Sequence, residues 1–263
     1  MGNKIKSFES FLFLGDGKIH LINEIEEYSD KHNNEINHYY GKIFCPECKK
    51  AELSFVHKTN FKRAHLRTKP KSLHDEECSY NYEYANSKTV KEYLSSLSKE
   101  QIEDKLQSMM NMLFKVKRNE RVINEDSVID KKLKNPFIIV NKNKENKLNT
   151  IRRKSLNTWI DSSDSTELSV FYGRVKLKSE ERTKKGKDKK YNLLKIYTYS
   201  RKSREWVWRT NIYRGNIKDK VNYNKEYYIS MIGNLDFSYK YWKIKLFKYN
   251  ALIFREIEKV KME

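Results

Sequence analysis

Glycine and proline are scarce in this chain, 8 and 3 among 263 residues. So few glycines leave little material for loops that cradle phosphates, and no Gly-rich phosphate loop or Gly-x-Ser-x-Gly turn occurs. Long apolar runs are missing too. None follows Met1-Gly-Asn-Lys-Ile-Lys6 at the length of a secretory signal or a membrane-crossing helix, so the expectation is a cytoplasmic protein without a membrane partner. Acidic side chains are outnumbered, 35 against 55 Lys and Arg, which leaves a net charge of +20. A field of that size draws polyanions and is weakened by salt. Nucleic acid is therefore the first expected partner, and an acidic surface on a host protein the second.

Apolar residues make up 38% of the chain and aromatic ones 13%, enough to fold, and 263 residues leave room for two small domains. Cysteine is the rarest informative type. There are three, an odd number, and all fall within the 34 residues from Cys45 to Cys78. In a reducing compartment that pattern favours metal ligation over disulfides.

Written out, the cluster is Cys45-x2-Cys48-x25-His74-x3-Cys78. Two thiolates on a turn between strands and a His/Cys pair four residues apart supply the soft and borderline donors that suit tetrahedral Zn2+. The four-residue offset predicts His74 and Cys78 on one helix face. Four protein ligands leave no position for water, so the predicted zinc is structural, standing in for a core that so polar a segment could not build. His57 and His65 lie between the cysteine pairs as alternative fourth ligands.

The run Gly17-Lys18, Tyr39-Tyr40, Cys45-Pro46-Glu47-Cys48 and Arg63-Ala64-His65-Leu66-Arg67 resembles the amino-terminal zinc-finger-like region of CoiA-like competence proteins. The resemblance covers roughly residues 10–80. Leu66 stands where that family has Phe, and Thr68 where it has a second His. The resemblance implies a role in DNA uptake or processing, often with a nuclease-like domain after the finger. No counterpart of that domain is legible. A metal-dependent nuclease needs converging carboxylates, and Asp161, Asp164 and Glu167 read as a Ser-rich loop and helix start, so no enzyme activity is expected.

In chain order, Phe8–Leu14 and Lys18–Ile22 read as a hairpin around Gly15-Asp16-Gly17, 23–38 as weakly helical, and Tyr39–Phe44 and Leu53–His57 as strands flanking the first cysteines. Tyr80–Leu97 contains a short helix. A longer one starts at Ser98, with Gln101 as capping-box partner and an apolar stripe of Ile102, Leu106, Met109, Leu113 and Val116. Residues 117–135 lack a period. Pro136–Val140 is a strand.

From Ser169 onward the pattern is all strand. Phe171, Gly173, Val175 and Leu177 alternate with Tyr172, Arg174, Lys176 and Lys178, one apolar and one basic face. Strands at Tyr191–Ser200, Glu205–Tyr213, Tyr227–Leu235 and Tyr241–Phe247 follow. The predicted fold is α+β: a zinc-stapled hairpin and helix module (1–118), a linker with a short strand (119–168), and a basic antiparallel β-barrel, OB-like (169–263).

Residues 171–263 hold 25 Lys and Arg against 10 Asp and Glu, together with Trp206, Trp208, Trp242 and many tyrosines. Cations among flat rings suit single-stranded nucleic acid, DNA or RNA, because charges meet phosphates while rings stack on bases. The expected contacts are Tyr172, Arg174, Lys176, Lys178, Arg201, Arg204, Lys243 and Lys245. A protein-docking module, such as an inhibitor or adaptor from a mobile element, is the alternative, since Tyr and Arg also populate interface hot spots. The Lys-, Asn- and Ile-rich composition suggests an AT-rich bacterial or phage genome.

Overall fold

Gly17 takes φ 68° in the turn between β1 (Ser10–Phe13) and β2 (Lys18–Leu21), a conformation glycine enters without a Cβ penalty. The expected hairpin forms there, with Phe13 opposite Lys18. The structure is a computed structural model and describes residues 6–114, 135–141, 147–184, 186 and 189–258. Val116 and the region 119–134 of the expected linker lie outside the described residues. The described chain groups into two compact units, one of residues 6–83, 135–138 and 148–150, the other of the remainder.

In the first unit, helix α1 (Ile22–Lys31) buries Ile22, Ile25 and Ser29, at helical spacing. Strand β3 is only Ile43–Phe44, because 37–41 form turns ending at Gly41 with φ 70°; it completes a sheet of order β2-β1-β3. The segment after the first cysteines, β4 (Leu53–Val56), pairs with β5 (His65–Thr68) in a separate ribbon, and a single bridge from Phe44 to Glu52 links it to β3. Phe8, Phe11, Phe13, Ile25, Ile43 and Leu66 form a core to which Cys45 and Cys78 belong. The expectation that metal replaces a core is thus corrected: aromatic residues upstream of Cys45 build one, and the cysteines join it.

In the second unit, Asn86 caps α2 (Ser87–Ser95) by accepting from the Thr89 N–H at 2.9 Å. The predicted capping box opens α3 (Lys99–Phe114): Ser98 N donates to Gln101 Oε1 at 2.8 Å, and Gln101 N donates to Ser98 Oγ at 3.2 Å. Ile102, Leu106 and Met109 of the stripe are buried. The chain also forms a ribbon of β6 (Ile138–Asn141) and β7 (Lys147–Thr150).

Seven strands follow: β8 (Arg152–Ser155), β9 (Ser169–Thr183), β10 (Lys190–Ser200), β11 (Glu205–Gly215), β12 (Tyr227–Asp236), β13 (Lys243–Leu246) and β14 (Leu252–Glu256). Their path is β11-β10-β9-β12-β13, with β14 also on β12 and β8 on β9. All pairs are antiparallel except β8 with β9. The basic run Arg152-Arg153-Lys154, unassigned from sequence, is that parallel strand. The sheet curls into a half-barrel, so that the Thr210 hydroxyl on β11 donates to the Trp242 carbonyl just before β13 at 3.3 Å.

Val175, Leu177, Leu194, Ile196, Ile229 and Met231 fill the concave side. Helix α3 lies against β12 and β14, and its Phe114 ring stacks on Tyr228 at 4.2 Å and meets Tyr172 edge-on at 6.0 Å. By strand alternation Tyr172 and Tyr228 point away from the concave side. The helix therefore lies on the convex face along β12 and β14, reaches β9 at Tyr172 through Phe114, and leaves Lys176 and Lys178 beyond that contact. The architecture is mixed α/β and mostly strand. No described helix is long and apolar enough to cross a membrane.

Candidate metal centre and basic face

Cys45 leaves β3 into a turn in which Lys49 N donates back to the Cys45 carbonyl at 3.0 Å and Lys49 takes φ 60°. That turn returns Cys48 toward its partner. Cys45 N donates to the Ala51 carbonyl at 2.7 Å, closing the knuckle. His74 and Cys78 are joined by an irregular turn, not by the helix their spacing predicted: Cys78 N donates to the Asp75 carbonyl at 3.0 Å, and helical structure begins only at Ser79. Four residues of tight turn converge two side chains as well as one helical turn does.

The four donor atoms of Cys45, Cys48, His74 and Cys78 lie within 4.8 Å of one another. Cys45 Sγ is 3.8 Å from Cys78 Sγ, and His74 Nδ1 is 3.5 Å from both Cys48 Sγ and Cys78 Sγ. A tetrahedral centre with metal–sulfur bonds of about 2.3 Å and metal–nitrogen bonds of about 2.0 Å has S···S edges of about 3.8 Å and S···N edges of about 3.5 Å. The observed edges match. The sulfurs are well beyond disulfide bonding distance, and all three cysteines are free. The quartet can hold one metal ion. Among the described residues, no other set of three or more His, Cys, Asp or Glu side chains is placed to do so.

The surroundings orient the ligands. His74 Nε2 lies 2.9 Å from Thr68 Oγ1, which fixes the other ring nitrogen toward the sulfurs. Thr68, the residue standing in place of the second histidine in the family resemblance, thus holds the histidine that converges. His65 and His57 do not join: His65 Nδ1 lies 3.2 Å from the Arg63 carbonyl, and His57 Nδ1 lies 3.3 Å from Ser29 Oγ. Glu47, inside the Cys-x2-Cys spacer, accepts from the Ser79 hydroxyl at 2.7 Å, from Ser79 N–H and from the Asn135 side-chain amide. The carboxylate ties the first knuckle to the residue after the last ligand. Spacing alone did not single out Glu47, Thr68 or Asn135; an acid between two ligands was the one legible signal.

Without metal the thiols perturb one another. The Cys78 hydrogen bond lowers the Cys45 thiol despite its burial, and the same bond, with burial, raises Cys78. One sulfur is thereby predisposed to be a thiolate.

The eight expected nucleic-acid contacts are differently placed. Tyr172 is buried beneath Phe114, at 8% exposure. Arg174 is exposed and ion-paired with Glu226 at 2.5 Å, and Lys245 is paired with Asp236 at 2.7 Å. Lys243 Nζ sits 3.4 Å over the Tyr239 ring. Lys176 Nζ is 5.4 Å from the Trp206 ring and 5.4 Å from the Tyr223 ring. Register sets Lys176 opposite Tyr197 and Tyr197 opposite Trp208, and sets Lys178 opposite Lys195. Tyr199 meets Trp206 at 5.7 Å beside the turn that carries exposed Arg201 and Arg204. The acids considered for nuclease chemistry are engaged elsewhere: Asp164 pairs with Lys154 at 2.9 Å, and Glu167 accepts from Ser87 N–H at the start of α2.

No family model, curated protein or solved structure matches this chain.

Proposed function

We propose that this chain is a non-enzymatic nucleic-acid-binding protein that takes single strands on the convex face of β9–β11 and carries a structural zinc ion on the Cys45, Cys48, His74, Cys78 quartet. The observation that carries this reading is the cationic and aromatic field left open beyond α3: Lys176 between Trp206 and Tyr223, Lys178 beside Lys195, and Arg201 and Arg204 at the adjoining turn. Glu180 pairs with Lys195, so exposed Lys178 beside that pair is the charge an anionic ligand would meet there. The rings meet edge-on, at 5.7 Å for Tyr199 with Trp206 and 5.4 Å for Trp208 with Tyr241, an arrangement that leaves ring faces for bases. The half-barrel serves in the manner of an OB-like barrel, presenting a twisted sheet to an extended strand.

Zinc is the metal we assign because three sulfurs and one imidazole at tetrahedral edge lengths are its preferred set, and four protein ligands make the site structural. The test is purification of the full chain without nuclease treatment. Nucleic acid absorbing at 260 nm and released by nuclease or salt is the expected companion. A stoichiometric protein that survives both treatments, with no nucleic acid, overturns the reading in favour of a docking module.

A further inference from the structure

Phe61 is the most exposed large apolar side chain described, at 95%. It stands at the apex of the β4–β5 ribbon in the metal-bearing unit. A single exposed hydrophobe needs no explanation by itself, but this one has an organised setting. Thr59 N donates to the Lys62 carbonyl at 2.8 Å, and Thr59 Oγ1 accepts from Phe61 N at 3.3 Å and Lys62 N at 3.1 Å. The tip is thus a hydrogen-bonded turn that holds Phe61 outward. Its base is fixed to α1: His57 contacts Ser29, and Lys58 pairs with Asp30 at 2.9 Å.

Charge supplies the second observation. From His57 to His74 the chain has six Lys and Arg and no Asp or Glu. All residues from His57 to Arg63 are exposed, as is Arg67 on β5. An apolar wedge flanked by exposed Lys62, Arg63 and Arg67, on a ribbon whose Lys58 pairs with Asp30 of α1, is complementary to a nucleic acid, where flanking cations meet phosphates and the wedge enters between bases. We infer that the β4–β5 ribbon is a second nucleic-acid contact, in which Phe61 inserts into the base stack while Lys62, Arg63 and Arg67 hold the flanking phosphates. The inference rests on the nucleic-acid reading above but names a different unit and a different mode, insertion instead of surface stacking.

The experiment titrates the full chain against oligonucleotides carrying 2-aminopurine, reading fluorescence for unstacking and anisotropy for binding. Wild type is expected to bind and to raise the 2-aminopurine signal. Phe61→Ala should abolish that rise and weaken binding roughly 5- to 150-fold, the range for one stacked base. The double variant Lys62→Ala/Arg63→Ala should reduce the slope of log affinity against log salt by about 1.4. Metal content and circular dichroism of Phe61→Ala should equal wild type, since so exposed a ring contributes nothing to the core. If wild type binds and Phe61→Ala matches it in both readouts, the ribbon's role is overturned while the β9–β11 reading stands. If wild type does not bind, both fall. If Phe61→Ala binds oligonucleotides normally but loses binding to anionic lipid vesicles, the wedge belongs to a membrane surface and the inference is overturned.

Discussion

Stripping the metal from the first unit should unfold the segment around the quartet and leave the large sheet intact. The ligands close a loop of 34 residues from Cys45 to Cys78. Cross-linking a loop of about 30 residues removes roughly 4 kcal/mol of conformational freedom from the unfolded chain. Opposing that loss, the metal-free unit keeps the core of Phe11, Phe13 and Ile25, on the first hairpin and α1, which does not depend on the loop. Ala51, Leu53 and Leu66 do depend on it, because they lie between the ligands. The assay is hydrogen exchange on the full chain before and after a strong chelator, with metal content measured in parallel. Amides from Phe44 to Tyr80 should lose protection by about three powers of ten, corresponding to about 4 kcal/mol, whereas β9, β10 and β12 should not change. The same protection in both samples, after metal is shown to have left, refutes the reasoning. So does a chain that holds no stoichiometric metal after mild purification.

Other expectations follow from single contacts. Replacing Thr68 by Val removes the oxygen 2.9 Å from His74 Nε2 and should weaken metal affinity roughly 10- to 100-fold in a competition titration, with all four ligands still present. The buried pair of Arg214 with Asp219, at 2.9 and 3.0 Å, makes Asp219→Ala costly because it strands a guanidinium inside the half-barrel. The expected loss is about 3–5 kcal/mol in denaturant unfolding, and a loss under 1 kcal/mol would contradict it. His20 gives a pH signature: burial pulls its pKa down, but hydrogen bonds and charges from Glu24 and Asp16 outweigh that and raise it. A raised histidine contributes in full below its unfolded value of about 6.5 and loses the contribution as pH rises through the folded value. The stability gap between wild type and His20→Gln should therefore shrink from pH 6 to pH 8; a gap that grows refutes the assignment.

How much of this was legible in the sequence differs by element. The metal quartet was legible because few chains place Cys-x2-Cys and His-x3-Cys so close by chance. Its local structure was not, because a spacing of four fits a helix and a tight turn equally. The first hairpin was announced by Gly15-Asp16-Gly17, and α3 by Ser98 and Gln101, both local chemistries that tertiary context did not override. What α3 packs against is a long-range matter. No local pattern says that Phe114 lies on Tyr172 and Tyr228, so Tyr172 counted with the basic face by alternation although the helix buries it. Strand β8 escaped notice for a similar reason: a run of Arg152, Arg153 and Lys154 has no apolar alternation, and pairing with β9 makes it a strand. The ion partners of Arg174 and Lys245 are likewise visible only in three dimensions.

The most direct measurement is the affinity of the full chain for a short labelled single strand, DNA and RNA in turn, across a salt series. Four phosphate contacts from Lys176, Lys178, Arg201 and Arg204 contribute about −3 to the log–log slope, so a tenfold rise in salt costs at least roughly a thousandfold in affinity. Trp208→Ala should weaken binding by about 1–3 kcal/mol with the slope unchanged. Undetectable binding at low ionic strength, or binding indifferent to both salt and Trp208, would contradict the account.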